Sequence, residues 1–247
     1  MEDWQEGEIV DNKKWTNNLA SLFIKADIKP HQAGQFTRLG LIINNHFVSR
    51  SYSYASAPND DLLEIIYIGI PDGIFSSKLL ELKKGDKISL MRKAIGYFTL
   101  DEIPNGKNLW MLATGTALGV FLSILKTESP WNRFEKIILI HGVRRSEELI
   151  YENLIENLKN GHPKQLIYFS CVTRSGNKKH FNYRIPQGLK LKDFERSSKI
   201  KINNDSQFMI CGNPEMIKDT TEVLRVMGLQ KNRRVKPGNI TVERYWV

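Results

Sequence analysis

The chain is poor in the residues that hold inorganic redox centres. Its 247 residues include only two cysteines, Cys171 and Cys211, far apart in sequence and without a CxxC pair. Neither a zinc site nor a chain-borne iron–sulfur cluster can be built from them, so no metal is expected and any redox chemistry needs an organic cofactor. Long apolar runs are also missing: nothing approaches the roughly 20 residues of a membrane span. The opening Met-Glu-Asp-Trp-Gln-Glu is too acidic for a signal peptide. A cytoplasmic protein with no membrane partner is expected. There is no GxGxxG fingerprint, no Lys/Arg tail and no RNA-binding aromatic signature, so nucleic acid is not an expected partner.

What the chain does have is positive charge, 36 Lys and Arg against 27 Asp and Glu for a formal net +9. Such a balance favours something acidic, whether a polyphosphate, a membrane surface, a nucleic acid or an acidic protein. The plain alternative is a general drift toward Lys and Asn over the whole chain. With 41% hydrophobic residues the sequence can build real cores without staples.

From Gly7 to about Leu100 short apolar runs alternate with turn residues: Leu19 to Ile24, Phe36 to Ile43, Phe47 to Tyr54, Leu63 to Ile70, Lys87 to Met91 and Tyr97 to Leu100. Strands at this spacing predict an antiparallel β-barrel or sandwich. The one helical interruption is Gly73 to Leu82, whose Gly-led, Ser-capped start is expected to offer free backbone N–H groups to a pyrophosphate. A plain surface helix is the competing explanation.

Near Asn105-Gly106-Lys107-Asn108 the pattern changes, which places a domain junction at 104/105. Leu109–Ala113, Lys136–His141, Gln165–Val172 and Gln207–Cys211 read as strands, with helices over Val120–Leu125, Ser146–Leu158 and from Pro214 to about Met227. That alternation is the mark of an α/β doubly wound parallel sheet. Asn213 is placed to cap the last helix, with Pro214 as its first residue.

Two stretches carry candidate chemistry. In Arg50-Ser51-Tyr52-Ser53, strand alternation puts Val48, Arg50, Tyr52 and Tyr54 on one face and Ser49, Ser51 and Ser53 on the other. An arginine beside aromatic rings suits a flat anionic ligand such as a phosphate-bearing flavin; an ordinary amphipathic strand would look similar. In the second half, residues following the strands face the ligand of such a sheet. Those residues are Thr114-Gly115-Thr116, Gly142-Val143-Arg144-Arg145, and Thr173-Arg174-Ser175 with Lys178, Lys179, His180 and Arg184 behind. Arginines stand where an NAD site would place a carboxylate, which matches a 2′-phosphate better. A solvated basic rim is the competing explanation, but drift gives no reason for arginines to cluster at strand ends.

With these residues in view the chain resembles the bacterial ferredoxin/flavodoxin–NADP reductases of the plant-type ferredoxin reductase superfamily. The matching pieces are Ala33-Gly34-Gln35-Phe36-Thr37, Arg50-Ser51-Tyr52-Ser53, Pro71-Asp72-Gly73, Leu112-Ala113-Thr114-Gly115-Thr116-Ala117, Cys211-Gly212-Asn213-Pro214 and Tyr245-Trp246. The resemblance implies an N-terminal antiparallel β-barrel binding FAD over 1–104 and a C-terminal α/β NADP domain over 105–247, its aromatic tail returning to the flavin. It implies that Arg50 with Ser51 binds FAD phosphate, that Tyr52 packs on the isoalloxazine and that Ser53 lies near flavin N5. Ile74, Phe75 and Ser76 would hold the pyrophosphate, Tyr67 belongs to the same set, and Thr116 would approach the ring from the nucleotide domain. Tyr245 would cover the other flavin face and Trp246 would stack on adenine. Val143, Arg144, Thr173, Arg174 and Arg184 would read the adenosine end of NADP, with Cys211, Gly212 and Asn213 completing that set. Tyr52, Ser53 and Tyr245 are the expected catalytic residues, and Glu243 is a candidate proton partner. The chain departs from the family in having Val120 where Pro is frequent, and in Val247 beyond the usual terminal tryptophan.

The expected activity is hydride transfer between NADP(H) and FAD, with single electrons passed to an acidic carrier, flavodoxin or ferredoxin, by a monomer. A flavin is needed because no side chain here accepts electron pairs and releases them singly. The alternatives are an NADPH-dependent flavin reductase or oxygenase-reductase component of the same superfamily and, from another class, a basic nucleic-acid-binding barrel.

Overall fold

The computed structural model describes residues 3–175 and 177–244. The chain divides into two compact units, Met1–Thr99 with Gly119–Thr127 and Leu100–Leu118 with Glu128–Val247.

The first unit is a six-stranded antiparallel sheet. Its strands are β1 (Trp4–Lys14), β2 (Leu19–Lys25), β3 (Phe36–Ile43), β4 (His46–Ser53), β5 (Leu63–Ile68) and β6 (Lys87–Met91), in the order β4-β3-β6-β1-β2-β5. Asn44 and Asn45 both take positive φ (49° and 63°), the left-handed pair that a two-residue hairpin needs, and they set the register that opposes Tyr52 to Thr37 and Arg50 to Leu39. The strand β1 was not expected, because Glu6, Glu8, Asp11, Lys13 and Lys14 hide its alternation and a register shift between Ile9 and Asp11 breaks it. Gly7 explains its central place: a side chain there would come within 2.7 Å of Ile24 and 2.8 Å of Leu90. Conversely, the run expected as a strand at Tyr97–Leu100 is not one. Its Phe98, Thr99 and Leu100 are buried, and the chain enters a 3-10 turn at Leu100–Glu102. The core is formed by Leu22, Ile24, Leu39, Tyr54, Ile65, Tyr67 and Leu90, joined by Phe75 and Leu79 at the short helix α1 (Ser76–Glu81).

Helix α2 (Leu118–Leu125) supplies most of the segment that belongs with this unit. Ser123 Oγ donates to Ser56 O at 2.6 Å, and Lys126 Nζ donates to Ala55 O at 3.1 Å while pairing with Asp60 (3.2 Å) and buried Glu64 (3.5 Å). Gly119 leaves room for Ala55, whose Cβ would stand 3.1 Å from an added methyl.

In the second unit β7 (Asn108–Thr114), β8 (Lys136–Val143), β9 (Leu166–Val172), β10 (Ser206–Gly212) and β11 (Ile240–Arg244) pair in parallel, in the order β11-β10-β7-β8-β9. Central strands of such a sheet are covered on both faces, and accordingly Leu109 to Ala113 are all fully buried. The helices are α3 (Ser129–Arg133), α4 (Glu152–Gly161), α5 (Ile185–Lys190), α6 (Asp193–Ser198) and α7 (Pro214–Val226). Asn213 caps α7 as expected, its side chain accepting from Glu215 N at 2.9 Å and Met216 N at 3.2 Å. The helix expected from Ser146 instead starts at Glu152: Ser146–Glu148 is a 3-10 turn, and Tyr151 in the left-handed region (φ 63°) interrupts the path. Short helices α5 and α6 and strand β11 carried no clear period in sequence and were not foreseen.

Candidate functional site

In the first unit, β4 is an edge strand, so its residues keep one side free. Its burial does not follow the simple alternation expected, because at the sheet edge Arg50 is exposed together with Ser51. Val48 and Tyr52 lean on the core and Tyr54 lies fully within it, whereas Arg50 and Ser51 are exposed and Ser53 is half-buried. The Arg50 guanidinium donates from Nη1 to Ser49 O at 2.8 Å, and no ion pair to an acidic side chain holds it among the described residues. Arg38, opposite Ser51, is turned toward Ser49 Oγ at 2.6 Å. Burial pushes the Tyr52 phenol well above its ordinary pKa, Tyr67 nearby adds to this and Arg50 opposes it, so Tyr52 stays a neutral ring.

The turn that precedes α1 is brought to this strand through an aromatic contact. Phe75 is buried and stacks on Tyr52 with ring centroids 6.1 Å apart and planes 29° apart. Ser76 Oγ accepts from Ile70 N at 3.0 Å and Ser77 Oγ donates to Gly73 O at 2.5 Å, so hydroxyls tie the turn down. Asp72 takes a positive φ of 63°, and Gly73 must be glycine because a Cβ would meet Ile70 O and Ser76 Oγ at 2.9 Å. Ile74 stays 63% exposed at the rim of this turn. Arg50, Tyr52, Ile74, Phe75 and Ser76 are thus gathered, an unneutralised guanidinium beside a ring and a tight turn, which fits a flat ligand carrying phosphate. Tyr67 stands apart in the core, 1% exposed, its hydroxyl donating to Asn12 Oδ1 at 2.8 Å while Asn12 Nδ2 donates to Leu79 O and Leu82 O.

In the second unit the candidate residues follow the carboxyl ends of four strands. The turn after β7 is held from two sides. Gly115 (φ +56°) carries open space where a side chain would be, and its carbonyl lies 3.0 Å from His141 Nε2 on β8. Since a carbonyl only accepts, the proton sits on Nε2. His141 is fully buried, and desolvation pulls its pKa down to about 4 against the opposing Gly115 bond, so the ring is neutral. On the other side, Thr114 Oγ1 accepts from Asn213 N at 2.8 Å, and Gly212 (φ +128°) brings its backbone close enough that a side chain would collide with that hydroxyl. Thr116 rides half-buried on this turn. No sequence signal pointed to His141 or to the Thr114 hydroxyl, because both are read only from strand neighbours.

Beyond β8 and β9 the ladder continues past the sheet. Thr173 N donates to Val143 O at 3.2 Å and Arg174 N to Arg144 O at 2.7 Å. These bonds join the loops that carry Arg144 and Arg174, both exposed and, among the described residues, without an acidic side-chain partner for either guanidinium. The nearest carboxylate is engaged with backbone: Glu148 Oε2 accepts from Arg144 N at 3.0 Å. Adjacent, unneutralised arginines are a receptor for a dianion. After β9 the chain runs back along that edge strand through the Cys171–Phe181 bridge, and Ser170 Oγ lies 2.6 Å from His180 Nδ1, which leads to exposed Arg184 at the start of α5.

Cys211 is fully buried at the end of β10, its Sγ 3.9 Å from Glu243 Oε2 on β11. Burial pushes the Glu243 carboxyl up to about 7, the thiol opposing, so it holds a proton near neutrality. Tyr245 and Trp246 lie outside the described residues.

The chain matches the oxidoreductase NAD-binding domain family over residues 111–222. It is 43% identical to the flavodoxin/ferredoxin–NADP reductase of Buchnera aphidicola subsp. Schizaphis graminum and 38% identical to that of Escherichia coli (strain K12), in both cases with 100% of each chain covered. Among solved structures it is similar to a ferredoxin NADP+ reductase from Neisseria gonorrhoeae with bound FAD and NADP, at 35% identity and a TM-score of 0.92 over 99% of each chain.

Proposed function

The chain belongs to the flavodoxin/ferredoxin–NADP reductase family, an oxidoreductase using FAD and NADP(H), and from that premise we propose how its residues divide the work. A bound FAD would supply the exchange of an electron pair with NADPH and of single electrons with flavodoxin or ferredoxin, which no side chain can do. Arg50, helped by Ser51, holds FAD phosphate with the donors that Ser49 O leaves free. Tyr52 offers its neutral ring to the isoalloxazine and Phe75 braces it from the core side. Ile74 and Ser76 present the turn to the pyrophosphate, and half-buried Ser53 presents its hydroxyl to the ring edge. Tyr67 acts through packing, fixing Asn12 and the end of α1.

Arg144, Arg174 and Arg184 take the 2′-phosphate end of NADP(H), with Val143 and Thr173 shaping the adenosine seat. The observation that supports this reading is the backbone bond from Arg174 N to Arg144 O, which joins the two arginine-bearing loops beyond the end of the sheet. Thr116, Cys211, Gly212 and Asn213 form the nicotinamide side, and Glu243, protonated near neutrality, is a local proton reservoir. The net charge of +9 steers acidic carriers by long-range attraction. Among the described residues no helix is long and apolar enough to cross a membrane; we infer a cytoplasmic monomer with a flavin-bearing 1–104 region and a nucleotide-bearing 105–247 region.

Anaerobic mixing of the FAD-loaded protein with NADPH should bleach the flavin absorbance, NADH should do so far more slowly, and flavodoxin or ferredoxin should restore it at a rate that falls with salt. A chain that stays colourless after incubation with FAD, or that is reduced equally by both nucleotides, contradicts the assignment.

A further inference from the structure

The loops after β8 and β9 are joined by one tie that is not part of the backbone ladder. Past the Arg174 N to Arg144 O bond the two chains must part, because Ser146–Glu148 turns into a 3-10 helix whose leading N–H groups lack internal partners. At that point a side chain takes over. Ser146 N donates to Ser175 Oγ at 2.9 Å, and the two hydroxyls lie 3.4 Å apart. Ser175 thus continues the pairing of the two loops one step beyond what parallel backbones can reach.

The tie has electrostatic work to do. Arg144 and Arg174 are like charges on two loops joined by a backbone bond, with Arg145, Lys178 and Lys179 also exposed nearby in sequence. Glu148, the acidic group on the same turn, spends an oxygen on Arg144 N and so fixes the Arg144 loop from its other flank. Mutual repulsion favours splaying of the two loops until a dianion lies between the guanidinium groups. A loop pair already closed pays less ordering entropy when that ligand arrives, and the saving is specific to a ligand that engages both arginines.

We propose that Ser175 is a specificity-positioning residue: by accepting the Ser146 N–H, its hydroxyl holds the Arg144 and Arg174 loops closed around a 2′-phosphate. The proposal rests on the assignment of these two arginines to the NADP(H) phosphate. It adds a residue that touches no ligand and acts only through the loops.

The test is titration of the FAD-loaded full-length protein with 2′,5′-ADP and with 5′-AMP, for the wild type, Ser175→Ala and Ser175→Thr. Loss of one such hydrogen bond should weaken 2′,5′-ADP binding about fivefold in Ser175→Ala, leave 5′-AMP unchanged, and be reversed in Ser175→Thr, which keeps the hydroxyl. In turnover the same variant should raise the KM for NADPH with kcat unchanged. If the wild type binds both ligands equally, the two-arginine assignment fails and the proposal with it. If the wild type discriminates and Ser175→Ala discriminates as well, or if both ligands weaken together, the assignment stands and the role of Ser175 is overturned.

Discussion

The two units solve ligand binding in opposite ways. The antiparallel unit lays its candidate cofactor residues along one edge strand, Arg50 through Ser53, and adds a single turn at Ile74–Ser76 through the Tyr52–Phe75 stack. The parallel unit takes one or two residues from the end of each of several strands and relies on backbone bonds between the following loops to bring them together, as with Arg174 N on Arg144 O. One site is local and the other is topological. Damage to the first should therefore stay within one ligand, whereas damage to strand-end neighbours in the second spreads through shared hydrogen bonds.

The largest effect expected is from Arg144→Ala combined with Arg174→Ala. Losing two charge-assisted contacts, each worth about 1.5–3 kcal/mol, should raise the KM for NADPH by about a hundredfold or more, with NADH nearly unaffected. Steady-state kinetics with both nucleotides decide this, and equal losses would remove the basis for selectivity. Next comes Arg50→Ala, expected to weaken FAD retention by about thirtyfold; flavin content after gel filtration measures it. Because the two sites are built separately, 2′,5′-ADP affinity should be unchanged in that variant, and a change there would break the comparison of the units.

Two buried groups in the parallel unit sharpen the comparison through pH. His141 stays neutral down to about pH 4, whereas an unfolded histidine takes up its proton near 6.5. The contribution of His141 to stability should therefore fall as pH drops through that window, by roughly 3 kcal/mol. The stability difference between the wild type and His141→Gln, which keeps an N–H for Gly115 O, should carry that slope in urea unfolding; a difference that does not change with pH would assign it elsewhere. Glu243 opposes that slope over much the same range, since its carboxyl keeps its proton to about 7 in the folded state but loses it near 4.5 when unfolded. Its contribution is present at low pH and is lost as pH rises from about 4.5 to about 7, the reverse of His141. In Glu243→Gln the His141 slope should emerge steeper than in the wild type, and an unchanged profile would show that Glu243 does not titrate in that range.

What could be read from sequence follows the same division. The strand that carries Arg50 and Tyr52 and the turn at Gly73 were legible because an apolar run and a Gly-led turn are local signals, and Asn213 with Pro214 was legible as a cap. The arginines at strand ends were legible in kind, since position after a strand implies position at the ligand face. Their pairing was not, because it depends on the β8–β9 register and on Ser175. His141 looked like one more residue of an apolar strand, and only the neighbouring Gly115 carbonyl reveals its use. Charged residues on both faces hid β1, and Tyr151 in a left-handed conformation shortened α4 in a way no apolar stripe announces.

The return of Gly119–Thr127 to the antiparallel unit has a consequence for biosynthesis. That unit is not finished when residue 99 is made: Ser56 O, Asp60 and Glu64 wait for Ser123 and Lys126. Ribosomal synthesis must first deliver β7, the initial strand of the other unit, and only then the helix that closes the earlier one. A nascent chain halted near residue 104 would thus expose an open flank to proteases, and protection should arrive only once residue 127 has cleared the exit tunnel.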